Sequence, residues 1–364
     1  MQVTDTHARH FVQVGHKLFR QSNGYQCRSL TTLRLDFNVI EAVPKQVFAQ
    51  LTELDIYNLD GGPNREIFDD YLQSARRLRS LTLQRWQSPS FTETRGFQIK
   101  PGEVLAPNAP DEVDRVLAED AEGEHGDLTT MADSAGRTDD PLQRLTSFRY
   151  IAYRGVMSPR VCRGVLHFLE KRTGLRRVDI KAVFCNKHYA EQALRVLGRF
   201  RHLEVLGIEF RDARNGLSSG LELLRYIPRT VTHLKYNVIG WRLDETPSTP
   251  DTVVKRALDK CPQLQFLYVY DGIRFLNGDY FRREDGKPQL STPVRHFDFK
   301  QLRFLAIEYN WMDIVHNSRG GADVARWSER EALYGGLEGW ERLGADGEWL
   351  ARYNADIMCL STYA

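Results

Sequence analysis

The sequence predicts an α/β solenoid, a run of strand–turn–helix units stacked with their strands side by side in a parallel sheet. Three observations predict it. An apolar pattern of the form L-x-x-L-x-L occurs nine times, its occurrences are spaced almost evenly, and the stretches between them change from period-two to helical spacing.

The nine segments are LTTLRL from Leu30, LTELDI from Leu51, LRSLTL from Leu78, LTSFRY from Leu145, LRRVDI from Leu175, LEVLGI from Leu203, VTHLKY from Val231, LQFLYV from Leu264 and LRFLAI from Leu302. Successive starts are 21, 27, 67, 30, 28, 28, 33 and 38 residues apart. The long step contains an acidic segment, which explains it. Between the strands, PRVCRGVLHFLEKRTG (159–174), KHYAEQALRVLGRF (187–200) and TPDTVVKRALDKC (249–261) have apolar residues at helical intervals. Ser158, Asn186 and Ser248 stand at the N-cap positions of these helices, and Gly174 stands where the first would stop. A single unit of this kind cannot bury its own apolar face. The units must therefore stack, with the strands on a concave side and the helices on a convex side.

The domain plan follows from the spacing: residues 1–29 an N-terminal cap, 30–87 repeats one to three, 88–143 an insertion, 144–315 repeats four to nine, and 316–364 a helical C-terminal cap. The N-terminal cap holds VGHKLFRQ (14–21) as a short helix. The C-terminal cap places Trp327, Leu333, Leu337, Trp340, Leu343, Trp349 and Leu350 at roughly helical intervals, as closure of the last repeat requires. Between Glu103 and Asp140 twelve acidic residues face only Arg115 and Arg137, so this segment carries −10 and the rest of the chain +12, summing to the formal +2. Rich in acid, Pro and Gly, the insertion is expected to be largely disordered. It reads either as a tolerated surface insertion or as an acidic arm that covers a basic face or recruits a basic partner.

The nine segments, together with KCPQLQFLYV at 260–269, resemble the leucine-rich-repeat superfamily, and in particular the irregular, cysteine-containing repeats of fungal F-box/LRR proteins. The resemblance extends over residues 25–315 or so. It implies a horseshoe with a concave parallel β-sheet and convex helices, no cofactor, and a non-enzymatic role in which a protein partner is held on the concave face. For the F-box branch it further implies a ubiquitin-ligase adaptor and a substrate-receptor role. The F-box itself is not seen, because residues 1–29 lack the Leu-Pro opening of that module.

Composition points the same way. With 41% hydrophobic and 27% charged residues the chain is of the folded globular class, and it shows neither a secretory leader nor a run of apolar residues able to span a membrane. The expected location is cytoplasmic or nuclear. Cys27, Cys162, Cys185, Cys261 and Cys359 are odd in number and scattered, so reduced, mostly buried thiols are expected rather than disulfides or zinc ligands. The ten histidines are equally dispersed. Phosphate-binding glycine loops and H-E-x-x-H are absent from the sequence. GLSSG (216–220) matches G-x-S-x-G with Ser218 as the nucleophile of a hydrolase, but RDARN separates it from the preceding strand, so turn and capping roles explain it better.

The partner face can be read by position, since the residues between the leucines point away from the core. Early repeats are polar and mixed in charge; late ones turn aromatic. Phe266, Tyr268, Tyr270 and Phe304, with Tyr309 and Trp311, form a patch that is either a partner-binding surface or core beneath the C-terminal cap. Arg149, Arg177, Lys181 and Lys235, with His233, give a basic middle suited to an acidic peptide or to the chain's own acidic segment. Nucleic-acid binding is the alternative partner class. Against it, the basic residues are interspersed with acids and form no Lys/Arg run.

Overall fold

The computed structural model describes residues 30–57, 65–85, 140, 142–152, 157, 159–184, 187–212, 223–239, 250–269, 299–307, 310–318, 321–327 and 342–351. The expected N-terminal cap, nearly all of the acidic insertion, the three proposed N-cap residues, Ser218, Tyr270 and Tyr309 lie outside them. The architecture is α/β, with an eleven-stranded, mostly parallel sheet whose strands follow the order of the chain.

Each of the nine L-x-x-L-x-L segments carries a strand that opens on its third residue. These are β1 (Thr32–Asp36), β2 (Glu53–Tyr57), β3 (Ser80–Arg85), β4 (Ser147–Ala152), β5 (Arg177–Phe184), β6 (Val205–Asp212), β7 (His233–Ile239), β8 (Phe266–Val269) and β9 (Phe304–Ile307). Connecting helices are α1 (Lys45–Phe48), α2 (Arg65–Ser74), α3 (Pro159–Lys171), α4 (Lys187–Leu197) and α5 (Pro250–Lys260), with 3-10 turns at Phe37–Ala42 and Leu224–Tyr226.

The entry to the strands is built in a repeated way. The first apolar residue of a segment donates its N–H to the carbonyl three residues earlier, as Leu51 does to Phe48, Leu78 to Ala75, Leu145 to Leu142 and Leu264 to Cys261. This tight turn ends the preceding connection and aims the chain into the sheet. The carbonyl just before the strand then accepts two N–H groups from the next repeat. That of Thr31 takes Thr52 and Glu53, Thr52 takes Arg79 and Ser80, Glu204 takes Thr232 and His233, and Thr232 takes Gln265 and Phe266.

The chain forms two compact units. In the first, which runs to Arg172 and adds Ala182–Cys185, β1 to β4 pair in parallel with Leu33, Leu54, Leu81 and Phe148 in one register. Side chains alternate across a strand, so these residues share the core face with Leu35, Ile56, Leu83 and Tyr150, and most are essentially inaccessible to water. Helix side chains complete the core through edge-on and tilted ring contacts, Phe48 to Tyr71 at 4.8 Å and Phe148 to Phe168 at 4.4 Å. The other face is polar. There Arg34 pairs with Asp55 at 3.2 Å, and Gln84 donates to the same carboxylate at 2.7 Å.

Three residues before each segment start the chain needs a side chain that fills the turn, and Phe48, Ala75, Cys261 and Phe299 do so as buried groups. Before Leu175 the position is Arg172, which is buried as well. Its guanidinium donates to Asp140 Oδ1 at 2.8 Å, to Asp140 Oδ2 at 3.1 Å and to the Leu142 carbonyl at 2.9 Å, while Asp140 also accepts the Leu142 N–H. Asp140, which the sequence places at the end of the acidic segment, thus anchors the start of the fourth repeat. Cys162 and Cys261 are buried, in accord with the burial expected for them, and burial pushes the Cys261 thiol up to about 12.

In the second unit, residues 173–181 and from 186 on, β6 to β9 continue in parallel with Leu206, Leu234, Leu267 and Leu305 in register. Two further strands, β10 (Asn310–His316) and β11 (Ala322–Arg326), turn antiparallel onto β9. This corrects the expectation of a helical cap from residue 316. Within that expected cap, β11 is strand at Ala322–Arg326, and helix is found at 344–351.

Breaking a buried ion pair strands the remaining charge in a poorly solvated place and costs about 3–5 kcal/mol. Arg172→Met and Asp140→Leu are therefore each expected to lower the urea midpoint of the first unit steeply, and the double variant to lose clearly less than the sum of the two. Additive losses would show that the pair is not coupled.

Candidate functional site

On residues 177–181 of β5 and on β6 to β9, all in the second unit, the residues between the leucines form rows across the face opposite the leucine core. One row holds Arg177, Val205, His233, Phe266 and Phe304; the next holds Asp179, Gly207, Lys235, Tyr268 and Ala306; a third holds Lys181, Glu209 and Asn237. Period-two alternation in a shared register produces the rows without any further requirement.

The middle row is organised by a charge pair. The Lys235 ammonium lies 2.8 and 3.0 Å from the two carboxylate oxygens of Asp179, with both side chains almost wholly buried. They sit on either side of β6 and meet above Gly207. A Cβ at Gly207 would fall 2.0 Å from Asp179 Oδ1 and 2.9 Å from Leu350 Cδ1, so only glycine leaves the space the pair occupies. The sequence signal was the Asp, Gly, Lys triplet at equivalent positions of three consecutive repeats. Without partner distances it reads only as mixed polarity.

Of the aromatic residues that are described, Phe266, Tyr268 and Trp311 are core and Phe304 is partly buried against them, which is the second of the two readings open from sequence. Phe266 is 1% exposed, Tyr268 7% and Trp311 8%, and Phe304 packs against the same cluster with Val205, Ala306, Trp327, Leu343, Leu350 and Ala351. Tyr268 stacks on Trp311 at 5.5 Å, and Trp311 on Trp327 at 5.5 Å. An exposed patch is thus corrected to a buried one, because β10, β11 and residues 343–351 close over it. The closure is also ionic. Asp346 binds both Arg176, at 2.6 Å, and Arg177, while Arg342 reaches Asp313 at 3.1 Å and lies 4.8 Å from the ring centre of Trp327. Trp327 Nε1 donates to Asp313 at 2.9 Å.

The basic residues of the expected partner surface are likewise engaged. Arg177 pairs with Asp346 and approaches Trp349, Lys181 meets Glu209 at 2.9 Å, Lys235 holds Asp179, and Arg149 lies buried on β4 in the first unit. They do not make an open basic field, because acids from neighbouring strands and from residue 346 neutralise three of them in place.

One polar side chain stands apart. Asn237, 2% exposed, has no hydrogen-bond partner for either Oδ1 or Nδ2 among the described residues. Its backbone lies opposite Glu209, which puts it in the third row beside the Lys181–Glu209 pair. Alternation along β7 puts Asn237 on this face, and no local pattern in the sequence shows that its amide is unsatisfied.

His233 stacks on Phe266 with ring centres 5.9 Å apart, and its Nδ1 lies 2.9 Å from Thr232 Oγ1. Burial lowers its pKa, the positive charges of Arg176 and Arg177 lower it further, and Asp346 and Glu204 oppose them. Among the described residues no group of His, Cys, Asp and Glu could hold a metal ion, and no helix is long and apolar enough to cross a membrane. No family model matches the chain, and no curated protein is significantly similar to it in sequence.

Two outcomes follow from this geometry. Gly207→Ala should separate Asp179 from Lys235 and displace Leu350, lowering the stability of the second unit by about 3–5 kcal/mol in urea unfolding; an unchanged midpoint would refute the crossing. His233 has a folded pKa below its unfolded value of about 6.5, so its contribution is present above that pH and is lost as pH falls through the folded value. The urea midpoint should therefore drop between about pH 7 and about pH 5 more in the wild type than in His233→Phe, which keeps the ring stack and cannot be protonated. Equal slopes would show that His233 is not responsible.

Proposed function

We propose that this chain is a non-enzymatic protein-interaction module, a leucine-rich-repeat-like solenoid that holds a protein partner on the sheet face opposite its leucine core. The observation that carries this reading is the common phase of the nine strands, each opening on the third residue of its segment. The same positions of every repeat are committed to the core, and the same positions are left to vary on the face. That is how a repeat scaffold separates stability from recognition.

The pairing of Lys181, Lys235 and Arg177 with acids supports a protein partner over a nucleic acid, since a phosphate backbone is bound by cations that are free to meet it. In its finer form the reading makes the chain an intracellular substrate receptor related to F-box proteins, with residues 103–140 tuning access of a basic partner. The test is affinity capture with the full chain and with a chain lacking residues 103–140, at physiological salt, quantified for stoichiometry. The expected result is a stoichiometric protein retained by the full chain and bound differently without the acidic segment, with the ubiquitin-ligase adaptor among the retained proteins. Retention without the adaptor removes the receptor form. Capture of RNA or DNA with a steep salt dependence, or of nothing stoichiometric, overturns the module reading.

A further inference from the structure

Several cations of the first unit have an acid beside them: Arg34 pairs with Asp55, Lys45 with Asp70 and Arg172 with Asp140. The entry turns of β3 and β4 are different. Arg76 and Arg77 lie in the turn that the Leu78 N–H closes onto the Ala75 carbonyl, and Arg144 lies in the turn that Leu145 closes onto Leu142. Arg77 and Arg144 hold the same position in adjacent repeats, one residue before the segment start, and the paired strands that follow are about 4.8 Å apart. The Arg79 carbonyl accepts the Thr146 and Ser147 N–H groups, so this residue stands at the same edge. All four arginines are exposed, and none has an ion pair or a side-chain hydrogen bond among the described residues. Like charges gathered at one edge repel one another, and an anion that meets them relieves the repulsion.

We propose that this arginine edge is a docking site for the chain's own acidic segment, whose carboxylates precede Asp140. The proposal goes beyond the module reading and stands without it. Charge, position and reach choose this occupant. From Glu119 to Asp139 the chain has seven acids against Arg137 alone. Asp140 is fixed by Arg172 and by the Leu142 N–H, in the connection that leads to Arg144, so the segment returns to the sheet at this edge. An extended chain spans about 3.3–3.6 Å per residue, so the stretch from Asp133 to Asp140 covers roughly 23 Å, several strand spacings. Tethered this closely, the carboxylates face the arginines at an effective concentration on the order of millimolar. Each guanidinium offers a planar fork that a carboxylate accepts with both oxygens. A nucleic acid approaching the same edge would meet the like charge of the segment. Under the module reading, a basic partner drawn to residues 103–140 has to compete with these arginines, and the docking sets how readily it binds.

The experiment follows cleavage within residues 103–139 by a glutamate-specific protease, in the full chain and in the full-length variant carrying Arg76→Gln, Arg77→Gln, Arg79→Gln and Arg144→Gln, with urea unfolding of both. At low salt the wild type is expected to be cut about fivefold more slowly than the variant, and at about 0.5 M salt both are cut alike, because exposed charges are then screened within a few ångströms. The urea midpoints are expected to agree, since only exposed side chains change. Three results would overturn the proposal. Equal cleavage of the two proteins at low salt removes the segment from the arginine edge and leaves the module reading, which affinity capture tests, untouched. A lowered midpoint in the variant makes the arginines structural. Binding of a single-stranded oligonucleotide that needs the four arginines, and is as tight in the full chain as in one lacking residues 103–139, replaces the segment with nucleic acid.

Discussion

The structure depends on one recurring backbone arrangement, the carbonyl before each strand that accepts the first N–H groups of the next repeat. Thr31, Thr52 and Arg79 serve in this way in the first unit, and Arg176, Glu204, Thr232 and Gln265 in the second. Each such carbonyl is set by the turn just before it, and each sets the height at which the next strand begins. Slipping one strand by a single residue would move its leucines to the opposite face, so register and hydrophobic pattern enforce each other. The segments between strands can vary from 21 to 67 residues between starts without disturbing the sheet, because only the ends of each connection are constrained.

Within that frame, the positions that depart from the repeat are the informative ones. Arg172 replaces a small or apolar turn-filling residue and brings Asp140 with it, and Gly207 replaces a side chain so that Asp179 and Lys235 can meet. Burying a charge pair gains little over a well-packed apolar pair, whereas losing one partner costs a great deal. Such pairs therefore do more to exclude alternative packings than to add stability. In the second unit they also fix where residues 343–351 lie, since Leu350 rests against the space left at Gly207.

That closure decides the surroundings of the aromatic side chains. The aromatic side chains of β8, β9 and β10 act within the molecule, stacked on one another and under Leu343 and Leu350. In the third row the Asn237 amide, buried on β7, has no hydrogen-bond partner among the described residues.

The sequence by itself determined the strands, their phase, their core residues and the helices at 159–171, 187–197 and 250–260, because period two and period 3.6 are local properties that stacking forces on every unit. It also showed which residues occupy each row of the face. What lies above those rows was decided only by the tertiary structure. The switch from expected helix to the β10–β11 hairpin arises because β9 offers an open edge, and an edge is completed by whichever neighbouring segment can reach it. Whether Phe266 and Tyr268 meet water depends on Trp311, Trp327, Leu343 and Leu350, and whether Lys235 is paired depends on Asp179, all distant in the chain. Periodicity carries no record of such distant contacts, since they are made by side chains that come together only after the repeats have stacked.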